Sequence, residues 1–247
     1  MKLQNKLYVT IILIIGFSFM SCNKAPYIEL PRASYKISNA DICIMHNKII
    51  SKAKESFTVK SSTIQNMEDY FNYYLPIIEN LLLEENEELY SNDLSLQEYI
   101  TVFEKYNVLR PTTTYVDFIT YTTAFLMDLK DNGYITSYFY TELILLVENS
   151  VTLSNEEIIN YLDNSFANNI SNQESDMKSL IIAMARSSNE IWNENNLKSM
   201  TALKPGSSTI IADAIGSLWG LPFGGVGSII YGALFSLYEN EILSPHS

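Results

Sequence analysis

The side chains able to carry chemistry are few in kind. The 247 residues include two cysteines, Cys22 and Cys43, and two histidines, His46 and His246. Zinc sites need three or four Cys, His or carboxylate ligands at set spacings. The chain has no His-Glu-x-x-His sequence and no Cys/His pair at ligand spacing, so neither a metal nor another cofactor is expected. A serine hydrolase would have to use His46 as its base, and no Gly-x-Ser-x-Gly elbow presents a serine. Walker phosphate loops and dinucleotide glycine fingerprints are also missing. His46 is therefore read as a structural or surface histidine. Aspartate and glutamate total 28, and two carboxylates can serve as the acid and base of a glycosidase. No spacing singles out such a pair, so no catalytic residue is assigned. The stretch Asp128–Phe139 echoes a calcium loop, with Asp128 first, Asn132 fifth, Gly133 sixth and Ile135 eighth. Lys130 and Phe139 stand third and twelfth, where ligating oxygens are required. A helix–glycine–helix turn accounts for the same letters.

Cys22 is the one residue with a strong local context. Lys2 and Lys6 precede an almost wholly apolar run from Leu7 to Met20, and the next charge is Lys24. This is the layout of a secretory leader, and it is short of the ~20 residues a spanning helix needs. The run ends in Phe19-Met20-Ser21-Cys22. That ending resembles the lipobox of bacterial lipoproteins, in the looser form found in the Bacteroidota. The resemblance implies cleavage before Cys22, a diacylglycerol on its thiol, and often a further acyl chain on its new amine. Cys22 would then tether the chain firmly to a lipid bilayer, since two or more acyl chains hold stably. Phe19 and Met20 depart from the commoner residues of the box. An uncleaved leader helix and ordinary cleavage are the competing readings. Acidic residues do not closely follow Cys22, which favours an outer-membrane, periplasm-facing place in the cell envelope.

Removing the leader leaves about 225 residues, enough for one sizeable core. Loss of Lys2 and Lys6 takes the net charge from −12 to −14. An acidic, lysine-poor surface is repelled by phosphate backbones, so no nucleic-acid partner is expected. With Cys22 acylated, Cys43 has no disulfide partner. Its neighbours Ile42 and Ile44 suggest a buried thiol.

Residues 22–37, with Pro26 and Pro31, read as a tether. From 38 to 194 one helical signal follows another. Ser38/Asp41, Ser95/Glu98, Ser154/Glu157 and Ser171/Glu174 are capping pairs. Apolar residues then recur at three and four: Ile42, Met45, Ile49 and Ala53, with Phe57; Phe71, Tyr74, Leu75 and Ile78; Phe125, Leu126 and Leu129; Ile158, Leu162 and Phe166; Met177, Leu180, Ile181 and Met184. Pro76 is expected to kink its helix or begin a new one. The run Leu143–Val147 predicts a central, buried helix. Strand signals are scarce. The fold class is mainly α: a bundle of about seven helices followed by a glycine-rich helical hairpin.

A polar linker spans 195–208, and the last segment is 209–247. From Thr209 to Tyr238 the only charge is Asp213, and six of the nine glycines fall here. Gly216, Gly220 and Gly224, four apart, predict a seam where helix backbones approach closely, against membrane or partner helices. Pro222 and Gly224-Gly225 divide the segment into arms near 209–220 and 226–239, each too short to cross a bilayer. The segment resembles the glycine-zipper hairpins of membrane-active bacterial proteins and some bacteriocins. It either docks on the bundle as core or engages membrane or a partner.

Three functions follow as expectations. The first is a lipid-anchored, non-enzymatic binding module of the cell envelope. The second is an envelope glycan hydrolase using paired carboxylates. The third is a membrane-active or self-protection protein that uses the hairpin.

Overall fold

The computed structural model describes residues 38–56, 67–85, 115–195, 207–220 and 224–238. They belong to one compact unit, Pro31–Ser247. Among them are eight α-helices and no strand: α1 (Asn39–Ser56), α2 (Met67–Glu85), α3 (Tyr115–Asp131), α4 (Ser137–Asn149), α5 (Asn155–Asn164), α6 (Asn172–Asn195), α7 (Ser207–Trp219) and α8 (Gly224–Tyr238). The expected mainly α fold is what the chain adopts. Cys22, the leader, the tether, the Ser95/Glu98 pair and His246 lie outside the described residues, as does most of the 195–208 linker.

Local chemistry starts and stops these helices. Ser154 caps α5 by accepting from Glu157 N, while the Glu157 carboxylate accepts from Ser154 N at 2.8 Å. At α6 the same reciprocal box joins Ser171 and Glu174. At α1, Ser38 Oγ accepts from Asp41 N and donates to its carboxylate. Glu174 has a second task. Its Oε1 accepts from Thr136 N at 2.6 Å, and Thr136 is itself the N-cap of α4. One carboxylate thus satisfies orphan N–H groups at two helix starts.

Burial alone pushes the Glu174 carboxyl up, but the N–H groups and hydroxyls of Thr136 and Ser171 outweigh that and hold it below the usual value. A group depressed on folding contributes stability above its unfolded pKa, and that contribution is lost as pH falls through the folded value. Glu174→Gln is therefore expected to cost about 1 kcal/mol near neutral pH, in the range of a lost cap. The deficit should shrink as the pH falls below about 4.5. Urea melts across that window measure it.

The α3–α4 turn shows why the calcium-like letters are there. Tyr134 N donates to Leu129 O at 2.8 Å and Gly133 N to Lys130 O at 3.0 Å. Gly133 has φ +75°. This is a helix C-terminus closed by a left-handed glycine, the Schellman arrangement. Asn132 uses its amide on Asp128 O. No cluster of three potential metal ligands occurs among the described residues.

One expectation is narrowed and one is corrected. Of the two outcomes expected at Pro76, it begins no new helix, since it lies inside the single helix α2. The apolar run of α4 is not the centre of the fold: Phe139, Leu143, Leu146 and Val147 are buried, but Leu145 is 40% exposed. The helices buried all round are α7 and α8. Every described residue from Thr209 to Gly220 and from Gly227 to Leu237 is buried. The C-terminal hairpin is therefore the core of the bundle. α7 packs on α6 and α8 and touches α4 and α5; α8 packs on α7, α1 and α2. An aromatic series runs across four helices: Phe125 stacks on Trp219 at 4.3 Å, Trp219 meets Phe235 at 5.7 Å, and Phe235 meets Phe71 edge-on at 6.4 Å.

Candidate functional site

The arms of the hairpin approach closely because glycine permits it. A Cβ on Gly216 would lie 2.7 Å from Tyr231 O and 3.1 Å from Gly232 Cα. A Cβ on Gly220 would lie 2.1 Å from Gly227 C and O. Two of the three glycines expected in the seam, Gly216 and Gly220, make these close approaches. Gly224 is the first residue of α8, across the turn, so the three glycines do not share one helical face. The seam instead passes from Gly216 on α7 and Gly220 just past its end to Gly227 and Gly232 on α8.

Within this apolar centre sits a polar cluster drawn from four helices. Its hub is Asp213 on α7. Asp213 Oδ1 faces His46 Nε2 of α1 at 3.0 Å. Asp213 Oδ2 accepts from Ser188 Oγ and, at 3.3 Å, from Trp192 Nε1, both on α6. Trp192 Nε1 also donates to Ser236 Oγ of α8 at 3.1 Å. His46, Ser188, Asp213 and Ser236 are 0% exposed. Ser188 and Trp192 are one helical turn apart, and so present to one point.

The protonation of His46 follows from its partners. Nδ1 lies 3.1 Å from Asn47 Oδ1. The Asn47 amide is oriented by its Nδ2, which donates to Ser187 O at 3.1 Å, so its oxygen is the atom turned to the ring. Both ring nitrogens therefore face acceptors, and only the imidazolium has two N–H donors. Burial by itself pushes the ring down. The Asp213 charge and hydrogen bonds to Asp213, Asn47 and the Gly232 carbonyl more than offset that and leave its pKa above 6.5. His46 and Asp213 form a buried ion pair. Gly232 makes room for it: a Cβ there would sit 3.2 Å from His46 Cδ2.

The residue types are those of a hydrolytic triad, but the connectivity is not. A triad needs serine bonded to histidine, with the acid on the far side of the ring. Here the serine bonds to the acid, and the ring has no nitrogen left for a substrate. The arrangement ties α7 to α1 and α6, and through Trp192 to α8.

The expectation that Cys43 is buried holds. It lies one turn before His46 on α1. Burial pushes its thiol up to about 11, and the negative charge of Asp213 adds to this. In a chain beginning at Asn23, which lacks Cys22, Cys43 should react with a disulfide reagent about a hundredfold more slowly near neutral pH than it does in guanidinium. Timed release of the chromophore checks this.

His46 was legible as structural, but its partner was missed. The signal was present: one charge in a thirty-residue apolar stretch has to be paired to be buried, and the chain has only two histidines. Ser188 and Trp192 carried no signal, because serine and tryptophan are ordinary on a half-buried helix. Compared with protein-family models, with curated proteins and with solved structures, the chain matches none.

Proposed function

We propose that the chain is a lipid-anchored, non-enzymatic helical binding module of the bacterial cell envelope. The observation that carries the non-enzymatic part is the closure of the Asp213 cluster. Its histidine, serine and carboxylate are wholly buried and spend their hydrogen bonds on one another and on neighbouring helices. Glu174, the other buried carboxylate among the described residues, is likewise occupied at two helix caps. Asp213 and Glu174 share no partner, which disfavours a glycosidase pair built from them, since such a pair must flank one bond.

The anchored part rests on Phe19-Met20-Ser21-Cys22 and its apolar leader. An acylated Cys22 leaves the acidic bundle to meet partners at the end of a short tether. Labelled fatty acid supplied to cells expressing the full chain should appear on the protein and vanish in Cys22→Ala. Label retained by Cys22→Ala would overturn the anchor. Cross-linking of the wild-type protein in its native envelope then recovers the partner as a defined adduct.

A further inference from the structure

We propose that the α7–α8 hairpin is a second membrane-engaging element, held inside the bundle by the His46–Asp213 pair and able to enter a lipid bilayer once Asp213 is neutral.

Three observations point to lipid as the alternative environment. First, the hairpin is buried on every described side, and apart from Asp213 its buried polar residues are only the hydroxyl-bearing Thr209, Ser217, Ser228 and Ser236. A core helix needs one apolar stripe, whereas a helix apolar all round suits a protein centre or a membrane. Second, the arms hold each other. The nearest contacts of Gly216 and Gly220 are with the backbone of α8 itself. Small-residue seams of this kind keep helices together in lipid, where the hydrophobic effect does not. Third, the hairpin's one charge is bonded outward, to α1 and α6.

A buried ion pair is a poor way to gain stability, because apolar residues of similar volume serve as well. It is an effective way to make docking conditional. While charged, Asp213 holds the hairpin to His46 and penalises lipid, where an aspartate at mid-bilayer disfavours entry by about two orders of magnitude. Neutralised, it gives up the ion pair and the penalty together. The arms of 13 and 15 residues are about 20 Å long at 1.5 Å per residue. That is short of a ~30 Å hydrocarbon core, in keeping with the absence of any described helix able to cross a membrane. The hairpin would enter part-way without crossing.

The test uses the chain from Asn23 to Ser247, which contains the whole compact unit and lacks both the leader and Cys22. Its outcome is therefore independent of the acylation experiment. The probe is a phosphatidylcholine vesicle carrying mid-chain brominated lipid, near neutral pH. Asp213→Asn should float with vesicles about tenfold or more above wild type, with tryptophan fluorescence quenched by the bromines. Leu162→Ala, in the α5 core, supplies a loosened bundle with the pair intact and should not float. Flotation of Asp213→Asn at the wild-type level overturns the proposal. So does equal flotation of Leu162→Ala, which would show that any loosened bundle sticks to lipid. If Asp213→Asn does not fold, the double variant His46→Leu/Asp213→Leu takes its place, since apolar residues can replace a buried pair without loss of the fold, and its failure to float overturns the proposal.

Discussion

Replacing His46 by alanine should destabilise the fold by about 3–5 kcal/mol, the loss seen when one partner of a buried ion pair is removed and the other remains. Asp213 Oδ1 would lose its donor at 3.0 Å, and the ring's volume would be left empty against Gly232. Replacing both partners at once should cost less than the sum of the two single changes, because no charge is then stranded. A double-mutant cycle read by urea melts measures the coupling. The pH dependence has a definite sign. The folded pKa of His46 lies above its unfolded value of about 6.5. Its contribution is therefore fully present below about 6.5 and is lost as the pH rises through the folded value. The gap between wild type and His46→Ala should narrow on the alkaline side. If it widens there, the ring is neutral in the folded protein.

Gly220→Ala should be the second severe change, costing about 3 kcal/mol or more, at or beyond the upper end for overpacking a core. The new methyl would meet the carbonyl of Gly227 at 2.1 Å and the nitrogen of Ser228 at 2.3 Å. These are backbone atoms of α8, with no rotamer to move. Relief requires the arms of the hairpin to part, and each arm is fixed by other helices on its far side. Gly133→Ala makes the comparison. Nothing lies within 4 Å of a Cβ there, but the residue has φ +75°. Its cost is backbone strain alone, about 1 kcal/mol. Equal losses in the two variants would mean that the seam is not tightly packed in solution. Thermal melts of both, with the helical signal followed, separate the cases.

Much of the fold could be read from local rules because the helices obey them. The pairs Ser154/Glu157 and Ser171/Glu174 start helices where the letters predict. The apolar spacing in α1, α5 and α6 matches the buried faces: Ile42, Met45, Ile49 and Ala53; Ile158 and Leu162; Met177, Leu180, Ile181 and Met184. Two kinds of information were not local. The choice between α4 and the hairpin as the centre depended on which apolar stretch the other helices cover. Leu143–Val147 and Ile229–Leu237 look alike to a short window, but only the second is buried on all sides. The site depended on a pairing across 167 residues, and neither His46 nor Asp213 carries its partner's address. Pro76 shows a third limit. A missing N–H can be tolerated where tertiary packing holds both halves of a helix, and α2 continues through it.

The position of the hairpin in the chain also sets the order in which the molecule can become itself. Its core is made of the last helices to be synthesised. The apolar faces of α1 and α2 lack part of their seat until α8 exists, and the ion pair closes a loop of 167 residues. Closing so large a loop before its contacts reward it slows folding and leaves apolar surface exposed meanwhile. Under the proposed lipoprotein reading, in which the chain is threaded across a membrane unfolded, that delay would be useful. The polypeptide withholds its own centre until the end arrives.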